Sequence, residues 1–213
     1  MTETQFHWPN VRRSIYNMAG PSVDSSTKCF VNHTGSLSFR ANYIGDQYKR
    51  AADLIIEAKV NGLDPFHPDG LFMPVGFLYR HSLELKLKSI LTKIVQCNLL
   101  KNNKGKCFHG HNILNLWHQI RPVIINRWPN ADQTPLDNVE SLLNELNEID
   151  KSGQNFRYSE TTLGQDTSKK FPQIIRLDIL KDAFDEIYNL LDGCAIEFDS
   201  MQQLMCENHN EHE

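Results

Sequence analysis

The chain has 213 residues, of which 40% are hydrophobic and 23% charged, with a formal net charge of -4. That much apolar material supports one packed domain with an appendage and excludes a mainly disordered chain. The slight acidic excess supplies no bulk positive field for collecting phosphates, so any nucleic-acid contact has to come from a local basic group.

Residues 1–40 read as an irregular arm. Pro9, Gly20-Pro21, Gly35 and the Ser/Thr-rich stretch Ser22–Thr27 punctuate it, and a short hairpin is expected near Cys29–Phe39. Helical spacing begins at Asn42 and runs through Tyr43, Tyr48, Ala51, Ala52, Ile55 and Ala58, with Gly62 as its stop. The strongest helix is expected over Pro74–Leu99. His111 or Asn112 can cap the next, through Trp117 to Ile120, with Pro122 bending or restarting it. Thr134-Pro135 predicts another start, Thr as N-cap and Pro at the first helical position, followed by the stripe Leu136, Val139, Leu142, Leu143, Leu146 and Ile149. Residues 151–175 look irregular, and a last helix is expected from Asp178 to about Leu204. The expectation is an all-α protein: an antiparallel bundle of four to five helices over 41–205, with a frayed tail at 206–213.

The helix from Pro74 carries the chemistry. At about 100° per residue, Ser82, Lys86, Ser89 and Lys93 share one side, which reads as the water face. Roughly opposite, His81, Glu84 and Lys88 share a stripe with Phe77, Leu91 and Val95, and Arg80 lies beside them. Unpaired burial of such groups costs several kcal/mol each, so they either form an ion-pair network between helices or face a polar cleft for an anionic ligand. Arg157 is the second signal. It stands between Phe156 and Tyr158, where an Arg can grip phosphate while a ring stacks on a base. The competing reading has Phe156 and Tyr158 plugging the bundle while Arg157 pairs with a carboxylate such as Glu84.

Phe77-Leu-Tyr-Arg-His-Ser-Leu-Glu-Leu-Lys-Leu-Lys-Ser-Ile-Leu91 resembles a signature helix of the HEPN superfamily (higher eukaryotes and prokaryotes nucleotide-binding), in which a Glu is often followed four residues later by Lys, here Glu84 and Lys88. His111-Asn-Ile-Leu-Asn-Leu-Trp117 is similar to the start of the family's next helix. Phe156-Arg157-Tyr158-Ser159-Glu160 is similar to a later segment, with Ser159 and Glu160 in place of Pro and Asp. The resemblance implies a helical bundle, often paired as a homodimer. It also implies one of two roles: a metal-independent RNase, often a toxin or defence effector, or a non-catalytic nucleotide- or RNA-binding partner, notably beside a small nucleotidyltransferase. The family's RNases carry an Arg, four to six residues, then a His. None of the nine arginines here has a His at that spacing.

The expected function is therefore a nucleotide- or RNA-binding protein of a prokaryotic defence or toxin–antitoxin type system, without the usual RNase centre. Its ligand residues would be Arg80, His81, Glu84, Lys88, His111, Arg157 and Tyr158. An RNase using a non-standard site is the alternative, with His81 or His111 as general base or acid and Arg157 or Lys88 stabilising the phosphorane. A purely structural interaction module is the third reading. No cofactor is called for. Cys107-Phe-His109-Gly-His111 and the His-containing tail lack the further ligands that a zinc site needs, so no metal is expected. No apolar run reaches the roughly 18–20 residues that span a bilayer. Met1–Arg13 lacks a signal core, and the scattered Cys29, Cys97, Cys107, Cys194 and Cys206 read as reduced thiols. A cytoplasmic protein is expected.

Overall fold

The computed structural model describes residues 37–63, 68–100, 110–160 and 164–210. Five α-helices make up this part: α1 (Leu37–Val60), α2 (Phe72–Gln96), α3 (Ile113–Arg127), α4 (Thr134–Ile149) and α5 (Leu177–Asn210). Two short 3-10 turns, Pro68–Gly70 and Ser168–Lys170, precede α2 and α5. The described residues contain no strand, only an isolated bridge between Glu160 and Asp166. The all-α bundle expected from the sequence is the observed architecture. None of the described helices is long and apolar enough to cross a membrane.

Local chemistry sets the helix ends. At the end of α1 the Leu63 amide donates to the Ala58 carbonyl (2.9 Å) and the Gly62 amide to Lys59 (3.1 Å). Gly62 holds φ at 70°, so this is a Schellman stop that needs a left-handed residue. The same pair of bonds closes α2, Leu99 to Ile94 and Asn98 to Val95, with Asn98 left-handed at φ 56°. The helix therefore ends before Leu99. Asn112 caps α3, its side chain accepting from the Asn115 amide at 3.1 Å.

Several expectations about helix bounds and breaks differ from what is observed. Helix α1 starts at Leu37, inside the stretch read as arm, so Leu37–Phe39 is helix and not hairpin; the rest of that arm lies outside the described residues. Pro122 does not restart α3, which runs on unbroken to Arg127. Ile120, Val123 and Ile124 hold that helix in the core on either side of the proline. Thr134 does not cap α4. Its amide and hydroxyl both donate to Asp132 Oδ1, at 3.0 and 2.7 Å, so the carboxylate two residues earlier takes that role. Finally, α5 continues to Asn210, through most of the segment read as frayed tail.

The largest difference concerns α2. The side read as its water face is buried: Ser82 and Ser89 have no exposed surface, Lys86 is 2% exposed and Lys93 6%. Helix α2 is the central element, packed against α1, α3 and α5 together. Gly45 allows α1 to come close; a Cβ there would lie 3.1 Å from the Ser82 carbonyl. The contacts Asp46–Lys86 and Asp53–Tyr79 show that α1 runs antiparallel to α2. Tyr79 stacks on Phe184, and Lys93 pairs with Asp199, so α5 runs parallel to α2. Lys86 reaches Asp46 and Asp192 at the edge of this three-helix seam. Its ammonium also sits 5.3 Å from the Tyr188 ring centroid. Two lysines are thus accommodated by burying their stems and pairing their heads.

Candidate functional site

Three segments meet on the other side of α2. The helix itself supplies Phe77, Arg80, His81 and Glu84. The residues before α3 supply His111. The loop after α4 supplies Gly153 and Arg157. Together these seven line a pocket of about 190 Å³.

Asp150 builds the loop. Its Oδ1 accepts from the amides of Gln154 (2.8 Å) and Asn155 (3.0 Å), an Asx-type closure that turns the chain sharply after α4. Asn155 ties the turn back to the Ile149 carbonyl. Gly153 takes φ 76° and brings its carbonyl to Arg157 Nε at 2.9 Å. Phe156 then points inward and is buried among Phe72 and Phe171. Anchoring Phe156 leaves its neighbours Arg157 and Tyr158 facing outward.

Arg80 fastens both loops to α2. Its guanidinium is nearly fully buried and donates to the Asp150 carbonyl (3.4 Å), the His111 carbonyl and Glu84 Oε2 (3.3 Å). Burial pulls the Arg80 pKa down, while the Glu84 and Asp150 carboxylates oppose the shift. Glu84 is the hub. Its Oε1 also accepts from Lys88 Nζ (2.7 Å) and from His111 Nδ1 (2.9 Å). Burial by itself would raise this carboxyl, but the bonds from Lys88 and His111 and the charges of Lys88 and Arg80 hold it below the usual carboxylate range. An ionised carboxylate only accepts, so His111 carries its proton on Nδ1, and Nε2 is left pointing away from the hub.

The two remaining polar groups are not engaged in this way. The His81 ring stacks on Phe77, with centroids 5.7 Å apart, and meets Tyr48 edge-on at 4.7 Å. No hydrogen bond to its nitrogens is made among the described residues. Burial lowers its pKa; Arg157, Arg80 and Lys88 add to that, and Glu84 opposes it. His81 is therefore neutral near pH 7. Arg157 lies with Cζ 5.7 Å from the Phe77 centroid and 5.5 Å from that of Tyr158. It has no carboxylate partner among the described residues, so the pairing with Glu84 weighed from the sequence is not what forms.

Of the seven residues singled out from the sequence, five line the pocket: Arg80, His81, Glu84, His111 and Arg157. Lys88 does not; it stands behind Glu84 and neutralises it. Tyr158 is not a wall either. It is exposed, beyond Arg157. Sequence reasoning missed Asp150 and Gly76. Asp150 looks in the sequence like any Asp at a helix end, and Gly76 matters because the Phe156 ring, from a distant loop, lies against it. Cys107 and His109 lie outside the described residues.

No protein-family model, curated protein or solved structure matches this chain.

Proposed function

We propose that the chain is a HEPN-like bundle that binds RNA or a nucleotide through this pocket. The observation that carries the reading is a pair of groups on one wall: the Arg157 guanidinium, whose Nε is held by Gly153 but which has no carboxylate partner among the described residues, and the His81 ring, whose nitrogens make no hydrogen bond among them. Around them the buried charges are already compensated, so the donors left for a ligand are few and directed. An Arg flanked by aromatic rings presents a planar fork to phosphate and a stacking surface to a base. The setting, by resemblance alone, is a prokaryotic defence or toxin–antitoxin system, with a homodimer or a nucleotidyltransferase as partner.

The test is binding of short RNA and of nucleotides at two salt concentrations. Arg157→Ala should lose about 10- to 150-fold in affinity, the scale of one charge-assisted phosphate contact. Arg127→Ala is the control, since Arg127 pairs with Glu197 on the surface. Equal affinities for wild type and Arg157→Ala, with unchanged melting, would remove the assignment and leave the structural-module reading.

One contact favours RNA cleavage as a second reading. Glu84 orients His111 as a carboxylate orients the base of a hydrolytic triad, leaving Nε2 available for proton transfer. Incubation of a labelled RNA without metal decides it: cleavage that is lost in His111→Ala supports this reading, and intact RNA after prolonged incubation eliminates it.

A further inference from the structure

The size and furnishing of the pocket narrow the ligand, given the nucleic-acid reading above. Pockets that enclose a whole small molecule run about 300–1,000 Å³. This one is about 190 Å³, so it holds a fragment and not an entire nucleotide. Phe77, the one aromatic hydrocarbon among the described lining residues, is already contacted by both His81 and Arg157, which leaves little of its ring for a base. What the pocket does offer is polar: the Nη groups of Arg157 and the ring nitrogens of His81. Among the described residues around it, three cations, Arg80, Lys88 and Arg157, outnumber two carboxylates, Glu84 and Asp150. An exposed aromatic lies just outside: Tyr158 is 55% exposed, and Arg157 approaches its ring at 5.5 Å, so a base stacked there would sit beside the guanidinium.

We propose that the pocket receives the terminal phosphate monoester of a single-stranded RNA, with Arg157 and His81 holding the phosphate and Tyr158 carrying the first base. A monoester brings about -1.5 to -2 charge and three acceptor oxygens, which suits a small site with several donors and one net positive charge. An internal phosphodiester brings one charge and two chain exits, and the helix and two loops that wall this pocket leave little room for both. Arg80 holds both loops from below, and Gly153 supplies the left-handed residue (φ 76°) with which the loop turns beside Arg80 and His111. With a net charge of -4 the chain supplies no bulk positive field, so under this proposal the end group does most of the binding. The salt dependence should then be shallow, with a slope of about -0.7 for each phosphate engaged.

The experiment compares one short RNA in three forms, 5′-phosphorylated, 3′-phosphorylated and with hydroxyls at both ends, by fluorescence anisotropy on the full chain. One phosphorylated form should bind about ten-fold or more tightly than the hydroxyl form. Arg157→Ala should abolish that preference, and Tyr158→Ala should weaken both forms alike. Arg157→Lys is the second variant, since it keeps the charge but loses the planar fork and should retain only part of the preference. Equal binding of all three RNAs by wild type overturns end recognition while leaving RNA binding in place. No binding of any of them overturns both readings.

Discussion

The Phe156 ring lies on Gly76 of α2 so closely that a Cβ at Gly76 would come within 2.4 Å of the ring. The glycine is a socket, and the ring seated in it fixes the loop that carries Arg157 and Tyr158. The pocket thus depends on a contact between two residues that never touch its contents.

Gly76→Ala tests this. In an open helix the change would gain about 1 kcal/mol from propensity. Here the ring is held by Phe72 and Phe171 and has no free side to retreat to, so overpacking costs about 1–3 kcal/mol. The expected outcome is a lower denaturant midpoint together with weaker RNA binding, because Arg157 moves with the ring. A stabilised variant with unchanged binding would refute the socket.

Glu84→Ala removes the hub carboxylate and leaves Arg80 buried without it. Breaking such a pair costs about 3–5 kcal/mol. Lys86, which its helical position marks as exposed, is buried too, so Lys86→Ala should cost about 1–3 kcal/mol through lost packing and broken pairing with Asp46 and Asp192. Arg50→Ala, at an exposed pair with Glu57, is the reference and should shift stability by about 0.5 kcal/mol or less. Chemical denaturation of the three variants ranks them; a Lys86→Ala value equal to that of Arg50→Ala would contradict the central position of α2.

Stability should fall in two stages as pH drops. His81 has a depressed pKa, so the unfolded chain takes up a proton first. Its contribution is complete above the ordinary histidine value of 6.5 and is lost as pH falls below it toward the folded value. Glu84 is depressed as well, and its contribution is complete above the ordinary carboxylate value of 4.5 and is lost as pH falls further. His81→Gln should flatten the upper stage and leave the lower one, as read from urea midpoints at stepped pH. An unchanged profile between pH 7 and 5 would place His81 outside the folding linkage.

Pro122 lies inside α3 on an exposed position, where it removes one helical hydrogen bond and crowds the preceding turn. Pro122→Ala should therefore raise stability by about 1–3 kcal/mol without affecting binding. A melting temperature equal to or below that of wild type would show that α3 relies on the proline.

Helix identity was legible from the chain alone because it depends on neighbours three and four residues apart. The left-handed stop at Gly62, the Asn112 cap and the apolar stripe of α4 are all local, and each forms where its spacing places it. The polar residues of the Arg80–Lys88 stretch were legible too, since a carboxylate and two cations on an otherwise apolar stripe have to find partners. Tertiary packing decided the rest. Whether Lys86 and Lys93 meet water depends on how many helices surround α2, and periodicity cannot count neighbours. That Arg80 is consumed in holding two loops, while Arg157 is left without a carboxylate partner among the described residues, follows from where Asp150, His111 and Gly153 arrive in space. His111 and Asp150 lie 31 and 70 positions from Arg80 in sequence, and only closure of the bundle brings their carbonyls within its reach.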